Sequence, residues 1–249
     1  MGTVIHCPKR GEIEFSENAL VIIDDEGKIV DHLKNDALNH AQTKNKFKDI
    51  GALFELLDHQ YLLPGFTDLH IHAPQWPQLG KALDVPLEVW LQKYTFPLEA
   101  KYEDEVFARI IYTELVTSLL RAGTTTAVYY GTIHQRANQI LADVCIDKGQ
   151  RAIIGKVVMD NTDQCPDYYR DASTQAAIDG TSEFLEYVKN HGKNIENKVN
   201  VAVTPRFIPS CTDEALNALG DLASTHSSYI QTHCSESDWE HNYVIERCG

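Results

Sequence analysis

The chain has 249 residues, 43% of them hydrophobic and 9% aromatic, and a formal charge of -14. That is ordinary for a globular protein with a substantial core, and it excludes the clustered Lys and Arg that a nucleic-acid or anionic-membrane partner requires. The partner is therefore expected to be a small molecule that is not a polyanion. Apolar runs such as Ala19 to Ile23 fall far short of a membrane span. Six cysteines (Cys7, Cys145, Cys165, Cys211, Cys234, Cys248) contain no Cys-x-x-Cys pair. No charged-then-apolar leader opens the chain, and His6 stands where a myristoylation signal needs Ser or Thr. A reducing, cytoplasmic location is expected.

In chain order, "ALVIIDD" and "GKIVDH" read as two strands joined across an acidic turn at Gly27, a hairpin. Residues 1–63 are expected to form a small β-domain. From residue 64 to 249 the pattern is one of strands alternating with helices. "TDLHIHA" is the first strand; Phe107, Ile111, Leu115 and Leu119 then recur at four-residue spacing, the stripe of an amphipathic helix. "TTTAVYYG" is the second strand, and Ile140, Leu141, Val144 and Cys145 mark a helix ending near Gly149. "RAIIGKVVM" reads as one buried strand, followed by a helix from about Ser173 to a C-capping Gly192. "VNVAVTPRF" is the fourth strand. Thr212 is placed to N-cap a helix with Asp213 and Glu214 in its first turn and Leu216, Leu219 and Leu222 facing inward. "SSYIQTHCSE" is the fifth strand. The alternation predicts an α/β fold with a parallel sheet, either open and doubly wound or closed as a barrel; with no Gly-x-Gly-x-x-Gly after the first strand, the βα barrel is preferred.

Period-2 geometry turns Asp68, His70 and His72 to one face of the first strand. His70 and His72 end that strand, Arg206 ends the fourth, and His233 with Glu236 ends the fifth. In a βα barrel the carboxyl ends of different strands converge on one mouth, so two histidines from one strand and one from another form a credible three-nitrogen metal site. Each residue also has an ordinary reading. A strand-end histidine serves equally as a hydrogen-bonded surface group, Arg206 as a surface ion-pair residue, Glu236 as a solvated loop carboxylate and Asp68 as an acceptor orienting a neighbour. Their joint placement carries the argument. His134, His191, His226 and His241 end no strand and are read as ordinary, and neither Asp68 nor Asp160 is taken as a ligand.

At "LPGFTDLHIHAPQW", "LDVPLEVWLQKYTFPLEAKY", "GTTTAVYYGTIH", "VTPRFIPSC" and "IQTHCSES" the chain resembles the guanine deaminases of the amidohydrolase superfamily. The "PGFxDxHxH" start marks the superfamily; "HAPQ", "KYTFPxE" and "TPRF" point to the guanine enzymes. The resemblance implies a metal-dependent, TIM-like βα barrel beside a small β-domain, one zinc ion per subunit, a homodimer, and conversion of guanine and water to xanthine and ammonia. It matches His70, His72 and His233 to zinc ligands. His72, Ala73, Pro74, Gln75, Arg206, Phe207, His233 and Glu236 match substrate-contacting positions, with Glu236 as the proton shuttle. Zinc lowers the pKa of bound water from about 15.7 towards 7. Arg206 then suits the O6 and N7 edge of guanine, and Phe207 and Trp76 are candidate apolar walls, with a core role equally open for Trp76. Another aminoheterocycle such as cytosine, or a role through protein contacts alone, stays open as an alternative. The His-x-Glu and Pro-Cys-x-x-Cys signature of base-editing zinc deaminases is absent.

The resemblance also implies three further strands carrying another active-site histidine and an aspartate of the zinc shell, for which this chain has no counterpart. It is expected to be a truncated form whose barrel is incomplete, with an unpaired sheet edge and low stability as a free monomer.

Overall fold

The computed structural model describes residues 1–249. The chain divides into two compact units, Met1–Gly65 and Phe66–Gly249.

The first unit holds strands β1 (Gly2–His6), β2 (Glu14–Ile23) and β3 (Ile29–Leu33), helix α1 (His40–Asp49) and a short β4 (Tyr61–Leu62). They form one sheet in the order β3-β2-β1-β4, antiparallel except between β1 and β4. The β2–β3 hairpin turns where the acidic stretch predicts it: Asp24 Oδ1 accepts from the backbone N–H groups of Glu26 and Lys28, and Gly27 takes φ +80°, a conformation that a side chain disfavours. Val4, Ala19 and Leu20 are buried. The polar stretch that builds α1 has little apolar periodicity, so the sequence offered no sign of this helix; His40 anchors it by bonding the Asn18 carbonyl at 2.7 Å.

In the second unit, strands β5 (Phe66–His72), β6 (Thr124–Tyr130), β7 (Arg151–Gly155), β8 (Val157–Val158), β9 (Val199–Pro205) and β10 (Tyr229–Ile230) are all parallel. The order β5-β6-β7-β9-β10 runs in one direction, with β8 alongside β9. A doubly wound sheet reverses its strand order at a switch point, and this one does not. Between the strands lie the short α2 (Leu87–Trp90) and α3 (Phe96–Glu99), then α4 (Glu105–Arg121), α5 (Gln135–Lys148), α6 (Thr174–Lys189) and α7 (Asp213–His226), with α8 (Asp238–Cys248) last. Helices α4 to α7 pack each against the next and against the strands, in the order in which they occur. Tyr112, Leu115, Ile140, Leu141, Ile154, Phe184 and Leu219 are among the fully buried side chains between the two layers.

Three sequence expectations need correction. "RAIIGKVVM" is two strands interrupted at Lys156, whose buried ammonium turns aside to bond Asp171 at 2.9 Å. Helix α6 ends at Lys189 with Asn190 as its cap, and Gly192 is not in the left-handed region. The fifth strand shortens to Tyr229–Ile230. Gln231 N–H still bonds the Val203 carbonyl, but the next rung would need an N–H from Pro205, which has none. At α7 Thr212 caps as expected, its hydroxyl accepting from Ala215 N–H, with Leu219 buried and Leu216 and Leu222 packed partly buried against the core.

Candidate active site

The carboxyl ends of the parallel strands carry the polar side chains. In β5 the Asp68 carboxylate accepts from the His70 backbone N–H at 3.1 Å, and the ladder to β6 shifts register between Asp68 and Ile71. Asp68 is thereby an acceptor within its own strand, while His70 and His72 reach the neighbouring histidine. The ligand atoms of His70, His72 and His233 all lie within 4.8 Å of one another.

The tautomers follow from the bonds. His233 Nδ1 lies 2.7 Å from the Arg206 carbonyl, so it carries the proton and leaves the Nε2 lone pair facing His72 Nε2, 2.8 Å away. Burial, followed by the nearby Arg206 charge, pushes His72 well below the ordinary histidine pKa. Burial also lowers His233 to about 4, against the opposing effect of its bond to the Arg206 carbonyl. Neutral imidazoles are the form that binds a metal. Three converging imidazole nitrogens, one of them oriented by a backbone carbonyl, fit a divalent metal ion with nitrogen preference. Under them lies Tyr130 at the end of β6, stacked on His72 with ring centroids 4.7 Å apart and tilted against His233 at 4.3 Å. Nothing in the strand pattern separated this tyrosine from the core residues beside it.

These histidines open into a cleft walled also by Gln75, Leu87, Trp90, Leu91, Arg206, Phe207 and Glu236. Ala73 and Pro74 are buried behind the wall, where they begin the 3₁₀ turn Ala73–Gln78 that presents Gln75. Trp76 packs against the main core rather than lining the cleft, and Trp90 with Phe207 supplies the aromatic wall instead.

Arg206 is not a surface ion-pair residue. It is 2% exposed and forms a two-pronged bond to Glu99, Nη1 to Oε2 at 2.6 Å and Nη2 to Oε1 at 3.2 Å, with its guanidinium 5.0 Å from the Phe96 ring centroid. Gln75 Nε2 donates to the same Glu99 oxygen, Oε1, at 3.0 Å. Glu99, fully buried, is the residue that sequence reasoning did not nominate, although it closes the "KYTFPLE" motif. A π-helical turn, Leu91–Thr95, joins α2 to α3. Pro97 lies two residues beyond it; its missing N–H and its ring do not fit a regular α-helix behind it, and the wider turn accommodates both.

Glu236 stands on a sharp turn after the fifth strand. Ser235 is in the left-handed region at φ +53°, unusual for a residue with a side chain. The Glu236 N–H donates to the buried Glu240 carboxylate at 2.6 Å, and Ser237 caps α8 by accepting from Glu240 N–H at 3.1 Å. This reciprocal cap fixes the loop that brings Glu236 to the cleft. Of the histidines read as ordinary, none lines the cleft; His134 precedes α5 with its ring near Tyr169, and burial lowers its pKa.

A family model described as the amidohydrolase family matches residues 61–249. The chain belongs to the amidohydrolase family. Among its relatives, a guanine deaminase of Dictyostelium discoideum is 41% identical over 98% of this chain and 54% of its own length. The Homo sapiens guanine deaminase is 37% identical over 95% of this chain and 51% of its own. A solved guanine deaminase from C. acetobutylicum with guanine in its active site superposes with a TM-score of 0.84 at 30% identity, over 99% of this chain and 55% of that one. The chain thus spans about half the length of the relatives it matches. As an amidohydrolase, its one-directional sheet is an arc of the family's βα barrel, and the three histidines at the strand ends suit a metal ion. No helix is long and apolar enough to cross a membrane.

Proposed function

We propose that the chain serves in the zinc-dependent hydrolytic deamination of guanine to xanthine and ammonia. The observation that carries this reading is one cleft in which three imidazole nitrogens, the Arg206–Gln75 pair and Glu236 all meet. The similarity to guanine deaminases, one of them with guanine bound, supports the substrate.

His70, His72 and His233 would hold the zinc, which when bound supplies water acidified to near-neutral pKa. Arg206 and Gln75 orient the purine by its polar edge. Leu87, Trp90, Leu91 and Phe207 enclose the ring and exclude water, which strengthens those polar contacts. Glu236 takes one proton from water as its oxygen bonds to C2 and passes it to the purine ring nitrogen. It then carries the second proton from that oxygen to the amine, so that the C2–N bond breaks, ammonia leaves and C2 keeps the oxygen as a carbonyl, with Glu236 first general base and then general acid. Adenine would set an amino group against the donors of Arg206. Glu99 still neutralises the Arg206 charge, so the cost is that of one buried N–H left without an acceptor, about 1–3 kcal/mol, enough for discrimination of about ten- to a hundredfold. A homodimer belongs to the same proposal, as does a cytoplasmic location, which six free thiols suit.

The test is a chromatographic assay of guanine, cytosine and other aminoheterocycles with protein from its native source, together with its zinc content. Conversion of guanine to xanthine, with both zinc and turnover lost in His70→Ala, is the expected result. Turnover of cytosine with guanine untouched would sink the substrate assignment, and wild-type protein without zinc would sink the metal.

A further inference from the structure

Glu99 touches neither the histidines nor the space where a purine would lie, yet it bonds both polar groups that would read one. Its Oε1 accepts from Gln75 Nε2 at 3.0 Å and from Arg206 Nη2 at 3.2 Å, and its Oε2 accepts from Arg206 Nη1 at 2.6 Å. A carboxylate accepts and never donates, so the Gln75 amide cannot turn its carbonyl towards Glu99. The amide is thereby locked in one of its two orientations, leaving Oε1 as the acceptor it offers to the cleft. Arg206, with two of its five N–H groups on Glu99 and a third on Met159 Sδ, has its remaining donors beside it.

From this we infer that Glu99 is a specificity-determining positioning residue: it makes the cleft present one acceptor next to one donor, the complement of a lactam edge, O=C–N–H. The inference rests on the guanine reading for the identity of the ligand, but the locking itself does not. An oxopurine meets this pair with its carbonyl on Arg206 and its ring N–H on Gln75. A 6-aminopurine has both polarities reversed. It would be accepted only if Gln75 turned over, and Glu99 forbids that turn.

The experiment compares, in a Glu236→Gln background that slows turnover, equilibrium binding of guanine and of 2,6-diaminopurine, which differs at the 6-position edge, to the zinc-loaded chain with Glu99 as in wild type and with Glu99→Gln. The replacement amide donates as well as accepts, so it tolerates either orientation of Gln75. Wild type is expected to prefer guanine by about a hundredfold, and E99Q to lose at least about tenfold of that preference. Equal weakening of both ligands, with the ratio unchanged, overturns the inference, because a merely structural role would move both alike. If E99Q does not fold, Glu99→Ser, whose hydroxyl donates as well as accepts, is read in the same way. Proton–nitrogen-15 NMR of the Gln75 side-chain amide, assigned with Gln75→Glu, reads the lock without any purine. A Gln75 Nε2 proton that exchanges slowly with solvent in wild type and quickly in the Glu99 variant supports it, and amide signals unchanged by the substitution overturn it. Wild-type protein that binds neither purine would defeat the guanine reading, and the NMR result alone would then decide the role of Glu99.

Discussion

Arg206 and Glu99 are 3% and 0% exposed at their side chains, and each is the other's only neutralising partner at close range. Arg206→Met is therefore expected to destabilise the chain by about 3–5 kcal/mol, the usual consequence of leaving one buried charge unmatched, measured by urea unfolding. A loss below about 1 kcal/mol would mean that water reaches Glu99. Glu236 is the opposite case, a solvent-facing carboxylate whose substitution leaves packing intact. On the proposed function, Glu236→Gln should keep the metal and the melting temperature while guanine turnover falls by about 10²–10⁴-fold. The proximity of His70, His72 and His233 was legible from strand alternation and strand-end position. The burial of Arg206 was not, because its partner lies 107 positions away in a segment with no apolar period.

At the scale of elements, α4 and α5 were readable because apolar residues recur along one face. The C-terminal limits of α6 and the fifth strand were not, since they depend on a cap at Asn190 and on a missing proline N–H. The connection from β8 towards α6 and α7 depends on Asp160, whose carboxylate accepts from Thr212 N–H at 2.7 Å and from the hydroxyls of Thr174 and Thr212, both at 2.6 Å. Thr212→Ala removes the cap of α7 together with one of those bonds. It should destabilise by about 1–2 kcal/mol, with guanine binding unaltered because the residue is remote from the cleft. A change in affinity larger than that in stability would show that α7 positions the site.

For the whole molecule, the direction of strand order was legible from the repeated strand–helix alternation, and the family assignment agrees with it. The thiols give a global measure of packing: Cys7, Cys234 and Cys248 are exposed, and Cys145, Cys165 and Cys211 are buried. Burial raises the pKa of all three buried thiols, Cys165 to about 12 and Cys211 to about 11, so they lack thiolate at pH 8. A thiol reagent at that pH should titrate three groups at once and the rest only in denaturant; six rapid reactions would show the core open in solution. The two outer strands of the parallel sheet carry a further consequence. Phe66 and Leu69 are exposed on β5, and Tyr229 and Ile230 on β10. These edges are unlike one another, and all strands point the same way, so pairing one molecule's β10 with another's β5 would be head-to-tail and has no two-fold axis; the proposed homodimer must be built on other surfaces.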